Sequence, residues 1–366
     1  MYKLVLGAFV SLMFALSPAA HARAEHGAKV TKTKKAHAGP VFKQRAAAGR
    51  VRAAARNQVV RRTIVVNGKR KVVYQRVIIA RNYAEPVRMS EGDRAGLNLT
   101  RDPLDLKSSV ALVLDQSNAE VLFEKNANVA LPIASITKMM TGLIVVEAGL
   151  DMEEILTVTE DDVDHEKFSS SRLQVGSKMT RANLLHIALM SSENRAAAAL
   201  ARNYPGGVPA FVEAMNTKAR ELGMSDTRYV DSSGLSSKNV ATARDLAKLV
   251  MAAYQQPLLR MYSTDPKATV SAGKRMMNYH NTNYLVALPD WEIGLQKTGF
   301  INEAGRCLMM QAVIQGRAVI MVFLDSKGKQ SRTADAGRVR RWLEAMIVPP
   351  LLNEPALERT GVTQGG

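Results

Sequence analysis

An α+β domain, built as an antiparallel sheet of N- and C-terminal strands with helices packed on it, is the fold class that this 366-residue sequence predicts. Three observations predict it. Strand-like runs near residue 110 and again between 291 and 325 flank a block of helical pattern. The apolar content of 46% is too high for a chain that stays disordered. Residues 96–366 carry 30 basic and 29 acidic side chains, the balance of an ordinary globular unit long enough to bury a sizeable core.

Residues 1–22 come first: Lys3, an apolar stretch over 4–16, Pro18 and the small-residue site Ala20-His21-Ala22. This is the order of a secretory signal peptide, too short for a stop-transfer helix, with a buried N-terminal helix as the competing reading. Export would argue against a nucleic-acid partner, which the formal net charge of +17 otherwise invites. That charge is local. Residues 23–95 hold 19 basic and 4 acidic side chains, net +15, and read as a basic, largely flexible arm. The arm is either a solvated tether or an adhesive for anionic envelope polymers or lipid head groups. Within it, β-rich runs on both sides of Asn67-Gly68 predict a type I′ hairpin over 62–74. A lone hairpin is marginal in water, so this one needs a partner surface.

The catalytic region is expected over 96–348. Strands are predicted at 109–115 and 120–125, joined by a turn at 116–118. Residues 133–149 are apolar on every side, as in a helix through the centre of a domain, and Gly149 ends it. Further helices are predicted at 181–190 with Thr180 as N-cap, 194–202, 209–222 ended by Gly223, and 243–254. Strands at 291–297, 306–313 and 317–325 follow, then an amphipathic helix at 334–347 and a tail over 349–366. The tail has no apolar face for a membrane anchor, which favours a soluble or wall-associated protein. A single Cys, Cys307, permits no intramolecular disulfide and no Cys-based zinc site. His165-Glu166 lacks a second His four positions on, so a zinc protease finds no support.

Three motifs carry chemistry. In Ser135-Ile136-Thr137-Lys138 the three-residue spacing puts both side chains on one helix face, so the amine can take the hydroxyl proton. The same spacing recurs at Ser271 to Lys274 and Ser326 to Lys329, but a central Gly makes both read as turns. Ser192-Glu193-Asn194 lies between two predicted helices, 57 residues after Ser135. Its rival, Ser237-Lys238-Asn239, precedes the capping-box-like Thr242-Ala-Arg-Asp245 and reads as helix entry. Lys297-Thr298-Gly299 ends a predicted strand: a fixed positive charge, a hydroxyl for a carboxylate, and a Gly that admits close approach.

These motifs, in this order, form the set that marks penicillin-binding proteins and class A β-lactamases. Over roughly residues 100–348 the sequence resembles the low-molecular-weight penicillin-binding proteins, the D-alanyl-D-alanine carboxypeptidases and endopeptidases. The endopeptidase branch is most similar, through Ser191-Ser-Glu-Asn-Arg-Ala-Ala197, Gln296-Lys-Thr-Gly-Phe300 and Glu303-Ala-Gly-Arg-Cys307. Leu222-Gly-Met224, Gly234-Leu235 and Thr242-Ala-Arg-Asp-Leu-Ala247 resemble the family's spacers.

The resemblance implies a serine β-lactamase-like fold and an acyl-enzyme route on peptidoglycan stem peptides and cross-links, sensitive to β-lactams as covalent inhibitors. It implies Ser135 as nucleophile, Lys138 as general base, and Ser192 with Asn194 to relay the proton and orient the substrate amide. Backbone N–H groups of Ser135 and Phe300 would form the oxyanion hole, while Lys297, Thr298 and Gly299 would shape the carboxylate site. Arg332 is a second candidate for that carboxylate, with a plain surface Arg as the alternative. Glu193 could influence substrate preference, although a solvent-facing loop residue is the simpler reading. No metal or organic cofactor is required, and a periplasmic location follows. The alternatives are a β-lactamase, for which no convincing Glu-x-x-Leu-Asn loop is found, and a non-catalytic basic peptidoglycan-binding protein. The sequence leaves open whether endopeptidase or carboxypeptidase action is preferred.

Overall fold

The computed structural model describes residues 55–66, 69–80, 89–273 and 275–347; the expected leader, residues 23–54 of the arm and the 349–366 tail lie outside the described residues. The chain divides into two units, 1–85 and 86–366. In the first, β1 (Ala55–Val66) pairs antiparallel with β2 (Lys69–Ala80), and Val66 stands opposite Lys69, which leaves Asn67-Gly68 as the connection. The paired strands extend well past 62–74. Val59-Val60 and Val77-Ile78-Ile79 continue the β-branched pattern on both sides, so part of the stretch read as flexible is strand.

In the second unit a short helix, α1 (Glu91–Arg94), opens on a Ser90 capping box. Next come β3 (Ser108–Asp115) and β4 (Val121–Lys125), then a two-residue strand, β5 (Leu131–Pro132). A 3-10 turn over Ala134–Ile136 leads into α2 (Thr137–Glu147), whose residues 137–145 are all buried, as its all-round apolar pattern requires. A small ribbon, β6 (Ile155–Thr157) with β7 (Lys178–Thr180), precedes α3 (Arg181–Met190). Thr180 caps α3 by accepting from the Asn183 N–H at 3.1 Å. The helical block continues with α4 (Asn194–Arg202), α5 (Gly207–Glu221), β8 (Val240–Ala241) paired to β5, and α6 (Ala243–Tyr254). α7 (Pro257–Thr264) and the hairpin of β9 (Lys267–Ala272) and β10 (Arg275–His280) complete it.

The sheet closes with β11 (Glu292–Ile301), β12 (Gly305–Ile314) and β13 (Arg317–Ser326), followed by α8 (Ser331–Ile347). Its order is β11-β12-β13-β3-β4, antiparallel throughout, so the C-terminal β13 pairs with the N-terminal β3. Both faces are covered. Val110, Leu112, Met309, Ile320 and Val322 face the helical block, while Ala111, Val113, Met310, Met321 and Phe323 face Ala336, Val339 and Leu343 of α8. Burial on both sides explains why these strands read as continuous apolar runs. β11 is an edge strand. It runs four residues beyond the predicted 297, so Lys297-Thr298-Gly299 lies within the strand. α8 starts three residues earlier than expected, which brings Arg332 into its first turn. No helix among the described residues is long and apolar enough to cross a membrane.

Candidate active site

Ser135 sits in the 3-10 turn where the chain enters the central helix, and two glycines fix that turn. Ala134 has φ 49, an uncommon backbone for a residue with a Cβ. Gly234, at φ 81, packs so closely that a Cβ there would overlap the Ala134 carbonyl. From the other wall, a Cβ on Gly299 would lie 2.8 Å from the Ile133 carbonyl and 3.2 Å from the Ser135 nitrogen. The nucleophile candidate is thus clamped between the Ser233-Gly234 loop and β11, where only Gly fits on either side.

One helical turn on, the fully buried Lys138 amine lies 3.0 Å from Ser135 Oγ. It also donates to Asn194 Oδ1 at 2.7 Å and to the Ser233 carbonyl at 2.6 Å. Burial pulls its pKa down to about 7, against the opposing charges of Asp231 and Glu193. Asp231 organises the loop beneath it by accepting from the N–H groups of Ser233 at 2.7 Å and Ser236 at 2.9 Å. The rival Asn239 is fully buried in the same support, donating to Thr137 Oγ1 at 3.0 Å and accepting from Val230 N at 2.7 Å. Helix entry falls to Thr242, which caps α6 through Asp245 N.

Ser192 occupies the left-handed region at φ 61, just before α4. Lys297 donates to Ser192 Oγ at 3.0 Å, so each serine has its own lysine. Both amines are buried, and the Lys297 pKa is held far below that of an ordinary lysine by burial first, then by the charges of Lys138 and Arg332. Asn194 has both ends engaged: Oδ1 holds Lys138, and Nδ2 donates to Ser169 Oγ at 2.9 Å. Thr298 Oγ1 lies 2.6 Å from Thr282 Oγ1.

β11 offers its free edge to this cluster. Gln296 N–H donates to Ser263 Oγ of α7, away from β12. The alternation of an antiparallel ladder therefore turns the N–H groups of Thr298 and Phe300 to the same free edge. The Phe300 ring is half exposed beneath the Arg306 guanidinium. Arg332 is not a plain surface residue: it donates to the Gly299 carbonyl at 2.7 Å, and burial lowers its pKa to about 10. Cys307 is buried with its thiol pushed up to about 12, which makes it inert.

The nine sequence-derived site residues thus gather where the Ser135 turn, the Ser192 loop and β11 meet. Glu193 differs from the simpler sequence reading: it is 8% exposed, with its carboxylate accepting from Ser171 Oγ, so it faces the protein interior and not solvent. Sequence reasoning also missed Ser169, Thr282, Asp231 and the Ser233 carbonyl. None of these belongs to a spaced motif, and only the Gly234-Leu235 spacer hinted at the last two.

Comparison with known proteins agrees with this geometry. Residues 98–328 match the family described as D-alanyl-D-alanine carboxypeptidase, peptidase S11. A D-alanyl-D-alanine endopeptidase of Pseudomonas aeruginosa is 46% identical over 270 residues, covering 73% of this chain and 86% of the relative. One from Escherichia coli is 44% identical over 249 residues, covering 68% and 80%. Among solved structures, the Streptomyces K15 DD-transpeptidase superposes with a TM-score of 0.62 at 27% identity, covering 67% of this chain and all of that one. Penicillin-binding protein D2 of Listeria monocytogenes, solved in its cefotaxime-bound form, gives 0.59 at 28% identity, covering 66% and 98%. These relatives favour neither the β-lactamase nor the non-catalytic alternative.

Proposed function

Since the chain belongs to the D-alanyl-D-alanine carboxypeptidase family, peptidase S11, we propose a division of labour among the side chains of its cleft. The protein is a serine-type D-alanyl-D-alanine peptidase of the cell wall, a hydrolase with the fold of the penicillin-binding proteins. Ser135 is the nucleophile and Lys138 its general base. One observation carries this assignment. A neutral amine has two N–H donors and one lone pair; Asn194 Oδ1 and the Ser233 carbonyl accept both donors, which leaves the lone pair for the Ser135 hydroxyl 3.0 Å away.

Attack on the D-alanyl carbonyl then moves the hydroxyl proton to Lys138 as the Oγ–carbon bond forms. Oxyanion charge falls on the N–H groups of Ser135 and Phe300. Ser192, held by Lys297, gives its hydroxyl proton to the departing amine as the C–N bond breaks and regains one from the Lys138 ammonium. Water, giving a proton to the neutral Lys138, then attacks the acyl carbonyl, and that proton returns to Ser135 Oγ as the acyl–oxygen bond breaks. Lys297, Thr298, Gly299 and Arg332 shape the site for a substrate carboxylate, with the Arg332 guanidinium supplying positive charge and Lys297 and Thr298 supplying hydrogen-bond donors. Asn194 positions Lys138 and meets the substrate amide through exchange of its Ser169 contact.

Endopeptidase action on cross-links is the preferred activity, because the two most extensively matched relatives above carry that name. The 1–22 leader supports export to the periplasm, and the basic arm supports adhesion to anionic envelope polymers or lipid head groups. Ser135→Ala is expected to abolish both covalent penicillin labelling and release of monomers from cross-linked muropeptide dimers, with free pentapeptides assayed alongside. Undiminished cleavage by that variant would remove Ser135 from the mechanism, and faster hydrolysis of pentapeptides than of dimers would reverse the endopeptidase preference.

A further inference from the structure

The central helix α2 is mostly apolar, yet it buries two threonine hydroxyls, Thr137 and Thr141, both at 0% exposure. A helical threonine usually satisfies its hydroxyl on a carbonyl one turn back, and Thr137 does so by donating to Ala134 at 2.8 Å. Thr141 reaches out of the helix instead. Its Oγ1 donates to the Ser232 carbonyl at 2.6 Å, across 91 positions. Burying a hydroxyl costs free energy unless it finds a partner, so this loop carbonyl is what admits a threonine where valine would otherwise suit the core.

Thr141 stands one turn beyond Lys138 on the same helix face, and the two side chains hold successive carbonyls of one loop. Lys138 Nζ donates to the Ser233 carbonyl at 2.6 Å, and Thr141 to the carbonyl before it. The N–H ends of the same two peptide groups converge on the Asp231 carboxylate, Ser233 N at 2.7 Å and Gly234 N at 2.5 Å. Each peptide plane is thus fixed at both ends, its carbonyl by α2 and its N–H by Asp231. A base can take and return a proton without losing its aim only if its acceptor stays in place while its own charge changes. Thr141 does not titrate, so it holds its plane in both states of Lys138.

We propose that Thr141 is a positioning residue for the general base: it fixes the peptide between Ser232 and Ser233, so that the Ser233 carbonyl keeps one donor of Lys138 and the lone pair stays on Ser135. This rests on the peptidase reading above, with Lys138 as the base. Loss of the hydroxyl strands the buried Ser232 carbonyl and favours rotation of that plane toward another donor. The Lys138 lone pair then loses its aim, which lowers the acylation plateau. The ammonium form, which gains more from a carbonyl than the neutral amine does, also loses support, so the rate inflection moves to lower pH. The charges that face the amine, Asp231 in the loop, Glu193 ahead of α4 and Lys297 on β11, are left unchanged by the substitution.

The test uses the full chain and the second-order rate constant for acylation by a fluorescent penicillin from pH 5 to 9, with calorimetry alongside. Thr141→Val keeps the shape and removes the donor. It is expected to lower the plateau about tenfold and to move the inflection down by roughly one pH unit, the worth of one hydrogen bond to a charged group. Thr141→Ala, which leaves room for water on the Ser232 carbonyl and so spares the fold, should shift the inflection the same way. Thr141→Ser restores the donor and should stay within about twofold of wild type with its inflection in place. Ser232→Ala reports on a merely structural role: it removes the 3.1 Å bond from Ser232 Oγ to the Ala197 carbonyl in the same loop but leaves the peptide plane with Thr141. That variant should melt earlier without moving the inflection. An inflection unmoved in Thr141→Val and Thr141→Ala, or moved as far by Ser232→Ala, overturns the proposal and leaves the peptidase reading standing, as does a Thr141→Ser protein that behaves like Thr141→Val. A wild-type rate that does not fall below pH 7 removes Lys138 as the base and the proposal with it, whereas no acylation of wild type at any pH overturns the peptidase reading itself.

Discussion

Acylation by this protein should rise tenfold per pH unit below about 7 and level off above it. The cause is the Lys138 amine, fully buried and pulled down to about 7 by loss of solvation. An ordinary lysine, with a pKa near 10.4, is neutral in only about 0.04% of molecules at pH 7, while a group titrating at that pH is neutral in roughly half. Burial therefore raises the fraction of competent base by roughly 10³ at neutral pH, comparable to the 10²- to 10⁴-fold that positioned base catalysis contributes. Because the neutral form is the active one, activity is lost as pH falls through the Lys138 pKa. The Glu193 charge opposes the shift, so Glu193→Gln should move the inflection to lower pH and raise the rate at pH 6. The second-order rate constant for acylation by a chromogenic or fluorescent penicillin, measured from pH 5 to 9, reads this directly. A rate that is flat from pH 5 to 7, or that rises only above pH 9, would refute the assignment of Lys138 as a neutral base. An inflection that moves upward in Glu193→Gln would refute the electrostatic account.

Two further outcomes follow from the geometry. Gly299→Ala forces its Cβ to within 2.8 Å of the Ile133 carbonyl, so the turn bearing Ser135 must yield by several tenths of an ångström. Since misplacement by 1 Å can cost about 10²-fold, acylation should fall by about tenfold with a small change in melting temperature, and stopped-flow acylation beside calorimetry separates the two. Removal of residues 23–85, which carry most of the basic excess, should abolish salt-dependent cosedimentation with isolated cell walls and leave hydrolysis of small peptides unchanged. Wall binding that survives the deletion, or hydrolysis that does not, would count against the arm as an independent adhesive.

Local regularities were legible wherever a short-range rule fixes the answer. The limits of α3, α4 and α6 agree with their sequence patterns because caps, apolar periodicity and terminal Gly or polar residues act within one or two turns. α7 escaped notice although Pro257 at its first position is a recognisable start. The turn read at Ser271 to Lys274 is the connection between β9 and β10, whose strands went unassigned. β11 was cut short at Lys297 because Thr298-Gly299 looks like a strand end, whereas pairing with β12 carries it to Ile301.

The sequence by itself determined the order of chemical groups: a hydroxyl and an amine one turn apart on a buried helix, a Ser-x-Asn turn, and a Lys-Thr-Gly strand. It also located +15 of the net charge of +17 in residues 23–95, apart from that chemistry. Only the tertiary structure decided what each group does to the others. It gave Lys297 to Ser192, aimed the Lys138 amine through a carbonyl 95 positions away, turned Glu193 inward, and joined Lys167 to Glu303 across 136 residues. Spacing rules reach only as far as one helix or strand. Desolvation and long-range hydrogen bonds exist only once these elements have packed on one another, and they set the protonation of the amines that the proposed reaction uses.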